Sequence, residues 1–311
     1  MDLAIVVVSY NTKQLTQDCL TSVYEALAAE GLAAQVWVVD NASADGSAEM
    51  VRRIFPQTRL IASDENLGFA KGTNLGLAAA ERWPDPPRHV LLLNPDTLVK
   101  PKALSRLVAF LDAHPEAGAA GAQLFYGDGT FQHGAFSFPT LWMTLFDFWT
   151  INHRLINSRL NGRYPRRLYQ AGIPFEIDHP LGAALIIRAT ALAQVGPLDE
   201  GYFMYCEEID WCLRAKRAGW RVYCVPEAHI VHLAGQSTSQ FRDRMFVALW
   251  RSRFRLFELH YSRAYQAGVR LILRPGLAKR ARLVHRQLAA GTIDPESAER
   301  QLAAYRTVRE M

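Results

Sequence analysis

The chain has 311 residues, of which half are hydrophobic and 21% are charged, and its formal net charge is +5. This length and composition allow a large core, so we expect one main domain with an appendage. The four cysteines form no CxxC pair and are too few for a disulfide scaffold, which argues against a zinc site and predicts free thiols in a reducing compartment.

The amino-terminal residues pass directly into the strand-like AIVVVSYN, without the basic start and cleavage site of a signal peptide. No apolar run approaches the roughly 18 residues expected of a membrane-spanning helix. We therefore expect a cytoplasmic protein that is soluble or lies peripherally on the inner face of the cell membrane.

The first hundred residues alternate between strand and helix patterns. Strands are predicted at 4–10, 35–40, 59–63 and 89–94, and helices at 16–30, 45–55 and 68–82. Such alternation predicts an α/β fold with a mostly parallel sheet covered by helices on both faces. In these folds ligands bind beyond the carboxyl ends of the strands.

Polar residues stand at three of these strand ends. They are Ser9, Tyr10 and Asn11 after the first strand, Asp40 and Asn41 after the second, and Asn94 and Asp96 after the fourth. For Asn41, and for Ser43 and Asp45 beyond it, a turn or helix cap is the simpler interpretation. Three polar strand ends at one edge nevertheless predict a ligand site. The loops GxGxxG and GxxxxGK[ST] are absent, which argues against a dinucleotide dehydrogenase or a P-loop enzyme.

Asp96 lies in VLLLNPDTLVK, where a buried apolar run stops. A hard cation such as Mg²⁺ prefers oxygen ligands and often takes one or two carboxylates plus substrate phosphates. The alternative is that Asp96 caps the helix predicted near 103–113. That alternative is weaker because Pro101 lies closer to the start of this helix.

A second acidic cluster lies in MYCEEIDWCLR, where Glu207, Glu208 and Asp210 adjoin several aromatic residues. Acids that repel each other in apolar surroundings have raised pKa values, which suits one of them to accept a proton. The same acids fit a solvated helix start paired with Arg214, and taken alone they favour this second interpretation.

Six ordered blocks carry a family resemblance: VVVSYN, VVDNASADGS, ENLGFAKGTNLGL, LLLNPDTLV, LDEGYFMYCEEIDWCLRAKRAGWRV and VPEAHIVH. Over about residues 3–240 the chain resembles a family 2 glycosyltransferase of the GT-A fold, and most closely its rhamnosyltransferase-like members. The resemblance implies inverting transfer of a sugar, such as rhamnose or another hexose, from a UDP- or dTDP-linked donor to a glycan or lipid-linked acceptor. It also implies a divalent metal, Mg²⁺ or Mn²⁺, and a place in cell wall or polysaccharide biosynthesis.

The resemblance assigns the metal and catalytic residues. Asp96 matches the last acid of the DxD-type metal motif, which here reads Asn94-Pro95-Asp96 and offers one carboxylate. His232 in VPEAHIVH matches a histidine that coordinates the metal or contacts the diphosphate, and we take it as the metal-site partner of Asp96. Glu208 takes the place of the general base, where Asp is more usual. Glu207 and Asp210 are the fallback candidates, and Asp210 also suits orienting Arg214 or the acceptor.

The resemblance also assigns donor contacts to the amino-terminal half. Asp40 corresponds to the acid that binds the base of the nucleotide, and the residues expected to line the nucleoside, phosphates or sugar are Ser9, Tyr10, Asn11, Asn41, Lys71, Asn74 and Asn94. The helix start GFAKGTN places free backbone amides where they attract anions. At 181–183 the sequence reads Leu-Gly-Ala where the family more typically has Ser-Gly-Ala, which puts acceptor contacts there in doubt.

These assignments divide the chain into a catalytic domain, 1–240, and a basic helical region, 241–311. The donor is expected on 1–100 and the acceptor on 101–240. The aromatic-rich segment 131–175 is either an acceptor lid or a cover over the core.

Residues 241–286 carry 12 Lys and Arg against 2 Asp and Glu. The hydrophobic side chains of the helix predicted there share one face, namely Phe246, Leu249, Trp250, Phe254 and Phe257. Arg251 and Arg255 flank that face, which fits either an anionic membrane surface or packing on protein. Nucleic acid is not expected, because no recognition fold accompanies the charge.

Two rival functions stay open. A nucleotidyltransferase shares the architecture and the metal, but its glycine-rich loop with a basic residue after the first strand is missing. A non-catalytic sugar- or membrane-binding module with a degenerate site fits the variant positions Asn94 and Glu208.

Overall fold

The computed structural model describes residues 1–149, 152–233 and 242–311, without the side chains of 153 and 242. These residues form two compact units. Unit 1 contains Met1–Ser137, Tyr164–Phe203 and 207–233, and unit 2 contains 138–149, 152–163, Met204–Cys206 and 242–311.

Most strands of the described residues belong to one sheet of unit 1. They are β1 (Leu3–Ser9), β2 (Ala34–Asn41), β3 (Arg59–Ser63), β4 (His89–Leu93), β5 (Thr97–Val99), β6 (Ala117–Phe125), β7 (Phe131–Gln132), β8 (Ala135–Phe136), β9 (Phe175–Ile177), β10 (His179–Pro180), β11 (Ala184–Arg188) and β12 (Arg221–His232). The sheet order is β3-β2-β1-β4-β11-β6-β12-β5, with β7 beside β6 and β9 beside β12, while β8 and β10 pair separately.

The helices of the described residues are, in chain order, α1 (Lys13–Glu30), α2 (Ser47–Ile54), α3 (Phe69–Glu81), α4 (Ala103–Ala113), α5 (Leu141–Phe146), α6 (His153–Ile156), α7 (Arg166–Gln170), α8 (Ala189–Val195), α9 (Glu207–Arg217), α10 (Arg242–His260), α11 (Arg263–Ala289) and α12 (Pro295–Glu310). None of them combines the length and the hydrophobicity that a membrane span requires.

The predicted α/β architecture is confirmed. Strands β3, β2, β1 and β4 are parallel, β11 runs antiparallel between β4 and β6, and β12 again runs parallel to β6. The continuous apolar runs form these strands because both faces of the sheet are covered. Helix α1 begins at Lys13, one turn earlier than the predicted 16–30, while α3 and β3 lie close to their predicted bounds.

Alternate residues of β1 serve two different cores. Leu3, Ile5 and Val7 belong to a cluster with residues of α1, α2 and α4. Val6 lies on the opposite face under α3, where a methyl group added to Gly76 would be only 2.5 Å from Val6 Cγ1. Helices therefore cover both faces of the sheet, and glycine lets α3 lie close to it.

Unit 2 packs the carboxyl-terminal helices around the apolar face of α10. Trp250, Phe254 and Phe257 are buried, and Trp250 stacks on Phe148. A methyl group on Gly276 would be 2.3 Å from the Phe148 ring, so α11 and the residues after α5 pack closely. Of the two interpretations of this face, packing on protein is the one observed.

The aromatic segment 131–175 is divided between the units. Residues 131–137 and 164–175 belong to unit 1, and the stretch between them, apart from 150–151, belongs to unit 2. Phe146, Phe148, Tyr164 and Tyr169 are buried, whereas Trp142 is 55% exposed. Most of these named rings therefore contribute to cores, and the lid stays a prediction.

Candidate functional site

The polar strand ends of unit 1 lie together as the sequence predicted. Ser9 at the end of β1 is in register with Asp40 at the end of β2, and β4 lies beside β1 on its other side. Because these strands are parallel, their carboxyl ends form one edge of the sheet, which is where α/β folds bind ligands.

Asp40, Asn41 and Thr73 give this edge three buried polar atoms that lack a hydrogen-bond partner among the described residues. These atoms are Asp40 Oδ1, Asn41 Oδ1 and Thr73 Oγ1. The other oxygen of Asp40 accepts from the amide of Ser43 at 3.0 Å, and Asn41 Nδ2 donates to the carbonyl of Gly68 at 2.8 Å. Buried polar groups are normally satisfied, so such a group of atoms is typical of a ligand site.

Other predicted donor residues are occupied within the loops. Ser9 Oγ lies 3.1 Å from Thr12 Oγ1 and 3.0 Å from Thr16 Oγ1, and its side chain is fully buried. Asn11, with φ of 51°, accepts from the amide of Ala44 at 2.8 Å. Tyr10 is 39% exposed, so its ring is available to a ligand.

Lys71 and Asn74 differ although both belong to α3. Lys71 is exposed. Asn74 Oδ1 accepts from the amide of Leu198 at 3.0 Å, and its Nδ2 donates to the Leu198 carbonyl at 2.9 Å. A contact between Asn74 and the donor stays a prediction, and its amide group already has partners in the protein.

Asp96 and His232 meet because β5 pairs antiparallel with β12. Their Oδ1 and Nε2 atoms are 3.5 Å apart, and both side chains are buried. The other ring nitrogen of His232 lies 3.3 Å from Gln132 Oε1. Burial lowers the pKa of His232, while Asp96 acts in the opposite direction. A neutral imidazole beside a carboxylate is suited to hold a cation.

This pair fits the divalent metal that the family resemblance implies. Within the described ranges, no group of three or more His, Cys, Asp and Glu side chains is arranged to hold a metal ion. Two protein ligands nevertheless suffice for a cation such as Mg²⁺, which usually keeps several waters and binds substrate phosphates. Asp96 and His232 would form such a partial ligand set.

Helix α9 presents the acidic cluster at its amino-terminal end. Glu207 is buried, and desolvation together with repulsion from Glu208 raises its pKa well above the ordinary value. Glu208 is half-buried, and desolvation raises its pKa to about 7. A carboxyl group that ionises near neutral pH and reaches solvent can act as a general base.

Asp210 is committed to an ion pair. Its Oδ2 accepts from Arg214 Nε at 2.8 Å, and Asp210 itself is only 1% exposed. The predicted pairing with Arg214 is thus observed for this one acid. Glu208 is left as the acid of the cluster that is both partly accessible and titrates near neutrality.

Residues 182–183 connect Glu208 to the Asn94-Pro95-Asp96 turn. The amide of Asn94 donates to the carbonyl of Ala183 at 2.9 Å. Gly182 hydrogen-bonds the Glu208 carboxylate through its backbone amide, which favours the ionised form, and a Cβ on Gly182 would lie 3.4 Å from Glu208 Cδ. The base candidate and the metal-site turn therefore belong to one connected part of unit 1.

Thr73, Gln132 and Gly182 belong to the candidate site through contacts that the sequence did not single out. Gln132 lies on a two-residue strand with no readable pattern, and its contact with His232 spans 100 positions of the chain. Thr73 had a local signal, since it belongs to the helix start GFAKGTN that the sequence analysis associated with anion binding.

The chain matches the model of the family described as Glycosyl transferase family 2 over residues 4–189, and it belongs to that family. The class that the fold and the site define is thus a glycosyltransferase with a GT-A architecture.

Two relatives show where the chain lies within the family. It is 30% identical over 264 residues to the N-acetylglucosaminyl-diphospho-decaprenol L-rhamnosyltransferase of Mycobacterium tuberculosis (strain ATCC 25618 / H37Rv), across 81% of this chain and 83% of the relative. It is 28% identical to Rhamnosyltransferase WbbL of Escherichia coli (strain K12), across 60% of this chain and 69% of that one. The resemblance to rhamnosyltransferase-like members is confirmed.

Among solved structures, the mannosyltransferase PcManGT from Pyrobaculum calidifontis, in complex with GDP-Man and Mn²⁺, is similar with a TM-score of 0.58. The match covers 98% of this chain and 85% of that chain at 16% identity. At this identity the similarity confirms the fold alone.

Proposed function

We propose that this glycosyltransferase inverts the anomeric centre and uses a divalent metal to transfer a hexose, with rhamnose the first candidate, from a UDP- or dTDP-linked donor. The observation that carries the proposal is the connection of Glu208, through Gly182 and Ala183, to the turn that holds Asp96. The names of the rhamnosyltransferase relatives support the sugar.

Glu208 is the proposed general base. Its ionised carboxylate takes the proton of an acceptor hydroxyl while the acceptor oxygen forms a bond to the anomeric carbon. The bond from that carbon to the diphosphate breaks on the opposite face, so the configuration inverts and the nucleoside diphosphate leaves with the bonding electrons. When bound, a divalent cation supplies charge stabilisation to the departing diphosphate.

The other site residues bind and orient the donor in this proposal. Asp40 accepts the N3–H of a pyrimidine base through its unpartnered oxygen, and Tyr10 covers the nucleoside. Asp96 and His232 would hold the cation, and Lys71 contributes charge near the phosphates. Asn41, Asn94, Ser9 and Asn11 shape the pocket. In this proposal 1–100 binds the donor and 101–240 binds the acceptor, with His232 as the residue of the second half that contributes to the cation site.

Thermal stability against UDP, dTDP, GDP and CDP, each with and without Mn²⁺, tests the donor. A ligand that binds only the folded state at about 100 times its Kd adds roughly 2.7 kcal/mol, which shifts the Tm visibly. Preference for UDP or dTDP that depends on metal supports the proposal. NMR of the product then tests inversion, because retention of the anomeric configuration contradicts it.

We also propose a lipid-linked acceptor and peripheral contact with the membrane that carries it. The Mycobacterium tuberculosis relative is named for a decaprenol-linked substrate. Helix α11 contains seven Lys and Arg and no Asp or Glu, and Leu271 and Leu283 on it are 77% and 55% exposed. A basic helix with exposed leucines fits an anionic lipid surface.

Vesicle sedimentation tests this contact. Phosphatidylcholine vesicles containing phosphatidylglycerol should bind the protein, and pure phosphatidylcholine vesicles should not. Arg274→Glu with Arg282→Glu should abolish binding because it reverses charge on the α11 surface, whereas the matched pair Arg52→Glu with Arg53→Glu on α2 should not. Equal loss in both double variants would assign the effect to net charge and contradict the α11 surface.

A further inference from the structure

Side chains of α9 donate hydrogen bonds to the beginning of the segment that connects α8 to α9. Trp211 Nε1 donates to the carbonyl of Gly196 at 2.9 Å. Arg214 donates to the carbonyls of Val195 at 2.8 Å and Pro197 at 2.9 Å. Three successive carbonyls are therefore bonded to the helix that carries Glu208, so a shift of residues 195–197 moves that helix too.

The next residue, Leu198, is hydrogen-bonded by Asn74 of helix α3, which belongs to the proposed donor half 1–100. Asn74 bonds both the amide and the carbonyl of Leu198, at 3.0 Å and 2.9 Å, and its Nδ2 also lies 3.1 Å from Glu200 Oε1. An amide side chain that pairs with both groups of one residue fixes its position along the chain as well as its distance. Aspartate or leucine at position 74 could not make both bonds.

The beginning of α3 provides a second attachment. The amide of Phe69 donates to the carbonyl of Phe203 at 2.7 Å. This amide is one of the helix-start groups that the sequence predicted for anion binding, and it is used inside the protein. Gly68 makes the approach possible, because a Cβ there would lie 2.4 Å from the Phe203 oxygen.

Gly68 is in turn hydrogen-bonded to Asn41, at the carboxyl end of β2. Its φ of 81° is favourable for glycine, and its carbonyl accepts from Asn41 Nδ2 at 2.8 Å. We call the carboxyl ends of β1, β2 and β4, together with Thr73, the donor edge. The other amide atom of Asn41, Oδ1, is one of the buried atoms of this edge that lack a partner among the described residues. A continuous set of hydrogen bonds thus joins the donor edge to the segment before α9 within unit 1.

We propose that Asn74 and Gly68 are positioning residues that hold segment 195–203 between α3 and α9 and so fix the location of Glu208 relative to the donor. We call Asn74, Gly68 and segment 195–203 the α3–α9 brace. The inference rests on the proposed function for the role of Glu208. It assigns Asn74 to positioning the general base Glu208 rather than to binding the donor. Displacement of a catalytic group by about 1 Å can cost roughly 100-fold in rate.

Asn74→Ala is the central test, with Leu75→Ala, an exposed neighbour on α3, as the matched control. The brace predicts a 10- to 100-fold loss of kcat, an estimate from the cost of misplacement, with the Kd for UDP or dTDP in Mn²⁺ unchanged. Asn74→Asp keeps an acceptor for the Leu198 amide but sets a carboxylate oxygen against the Leu198 carbonyl and the Glu200 carboxylate, so it should lose at least as much as Asn74→Ala. Leu75→Ala should match the unaltered protein.

Two outcomes overturn the brace. A loss of donor affinity equal to the loss of kcat would make Asn74 a donor ligand, as the sequence predicted. A fall in Tm with kcat unchanged for each folded molecule would make it a structural contact only. Lys71→Ala on the same helix provides the contrast, since it should weaken donor binding in the way that Asn74→Ala should not.

Hydrogen exchange separates a failure of the brace from a failure of the proposed function. If the unaltered protein transfers no sugar from any donor, the proposed function fails, but the exchange experiment still applies. Faster exchange in peptides from 195–203 and 207–217 of Asn74→Ala supports the brace, and unchanged exchange in 207–217 overturns it. Peptides from 103–113, on the opposite side of the sheet, should exchange equally in both proteins.

Discussion

The donor edge and the segment 195–197 that leads into α9 belong to the same unit, but their polar groups differ in whether they have partners within the protein. The donor edge leaves atoms of Asp40, Asn41 and Thr73 unpartnered among the described residues. The connection into α9 instead has its backbone carbonyls bonded to Trp211 and Arg214. A binding surface needs atoms left for its ligand, whereas a catalytic acid needs surroundings that hold it still.

The two glutamates at the start of α9 differ from each other in exposure and in pKa. Glu207 and Glu208 are adjacent, yet Glu207 is buried with a pKa far above its usual range, and Glu208 is half-buried with a pKa of about 7. The side chain that reaches solvent is the one whose ionisation falls in the working range of an enzyme.

Glu208→Gln should give the largest effect. Loss of the base should lower kcat by about 10²- to 10⁴-fold, the range for general base catalysis, while UDP or dTDP still raises the Tm. Glu207→Gln is the matched control, since glutamine resembles the protonated acid at that buried position and should keep activity within a few-fold. Equal inactivation of both variants would remove the distinction between the two acids.

Asp96→Ala should abolish the metal-dependent part of nucleotide binding. The metal-dependent increase in the free energy of unfolding, roughly 2.7 kcal/mol with the nucleotide at about 100 times its Kd, should vanish. The reason is that a cation held by His232 alone has lost its carboxylate ligand. Isothermal titration with UDP, with and without Mn²⁺, measures this. Retained metal dependence in Asp96→Ala would place the cation elsewhere.

The pH dependence of kcat should report Glu208. A base must be ionised to accept a proton, so kcat should rise with pH through about 7. Stability should change in the opposite sense: a carboxyl group whose pKa is raised on folding stabilises the protein fully below its unfolded pKa near 4.5, and this contribution is lost as pH rises through about 7. The Tm of Glu208→Gln minus the Tm of the unaltered protein should therefore be larger at pH 8 than at pH 5. The same Tm difference at both pH values would contradict the assignment.

Asp40→Asn should give the smallest effect. Replacing the unpartnered Oδ1 acceptor removes one hydrogen bond to a pyrimidine N3–H, which corresponds to a loss of about 1 kcal/mol, or roughly five-fold in Kd. Titration with UDP compared with CDP measures it, because cytosine N3 is an acceptor, so CDP should lose nothing and can gain a bond from the new amide N–H. An equal loss for both nucleotides would indicate a damaged loop instead.

Much of unit 1 could be predicted from the sequence because its signals are local. The apolar runs and helical spacings identified β1, β2, β3, β4, α3 and α4 within a few residues, and parallel order alone implied a shared edge for Asp40 and Asp96. That these polar strand ends share one edge follows from the rule of parallel sheets, whereas their predicted roles in donor binding come from the family resemblance.

The contacts of Asn74 could not be predicted in this way. Its partner Leu198 lies 124 positions away, and nothing in the local pattern GFAKGTNLG distinguishes an asparagine that binds phosphate from one that holds a peptide segment. The same limit applies to α10, whose apolar face fits a membrane and a protein neighbour equally well until α11 and α12 are placed.

The sequence by itself determined the class of fold, the family and the identity of the acids, because hydrophobic periodicity and short ordered motifs are written along the chain. Only the tertiary structure decided what each acid experiences. Glu207, Glu208 and Asp210 have the same charge in the sequence, and burial, the Gly182 amide and Arg214 make them different. Desolvation and hydrogen bonding depend on neighbours that are distant along the chain, so they exist only after folding.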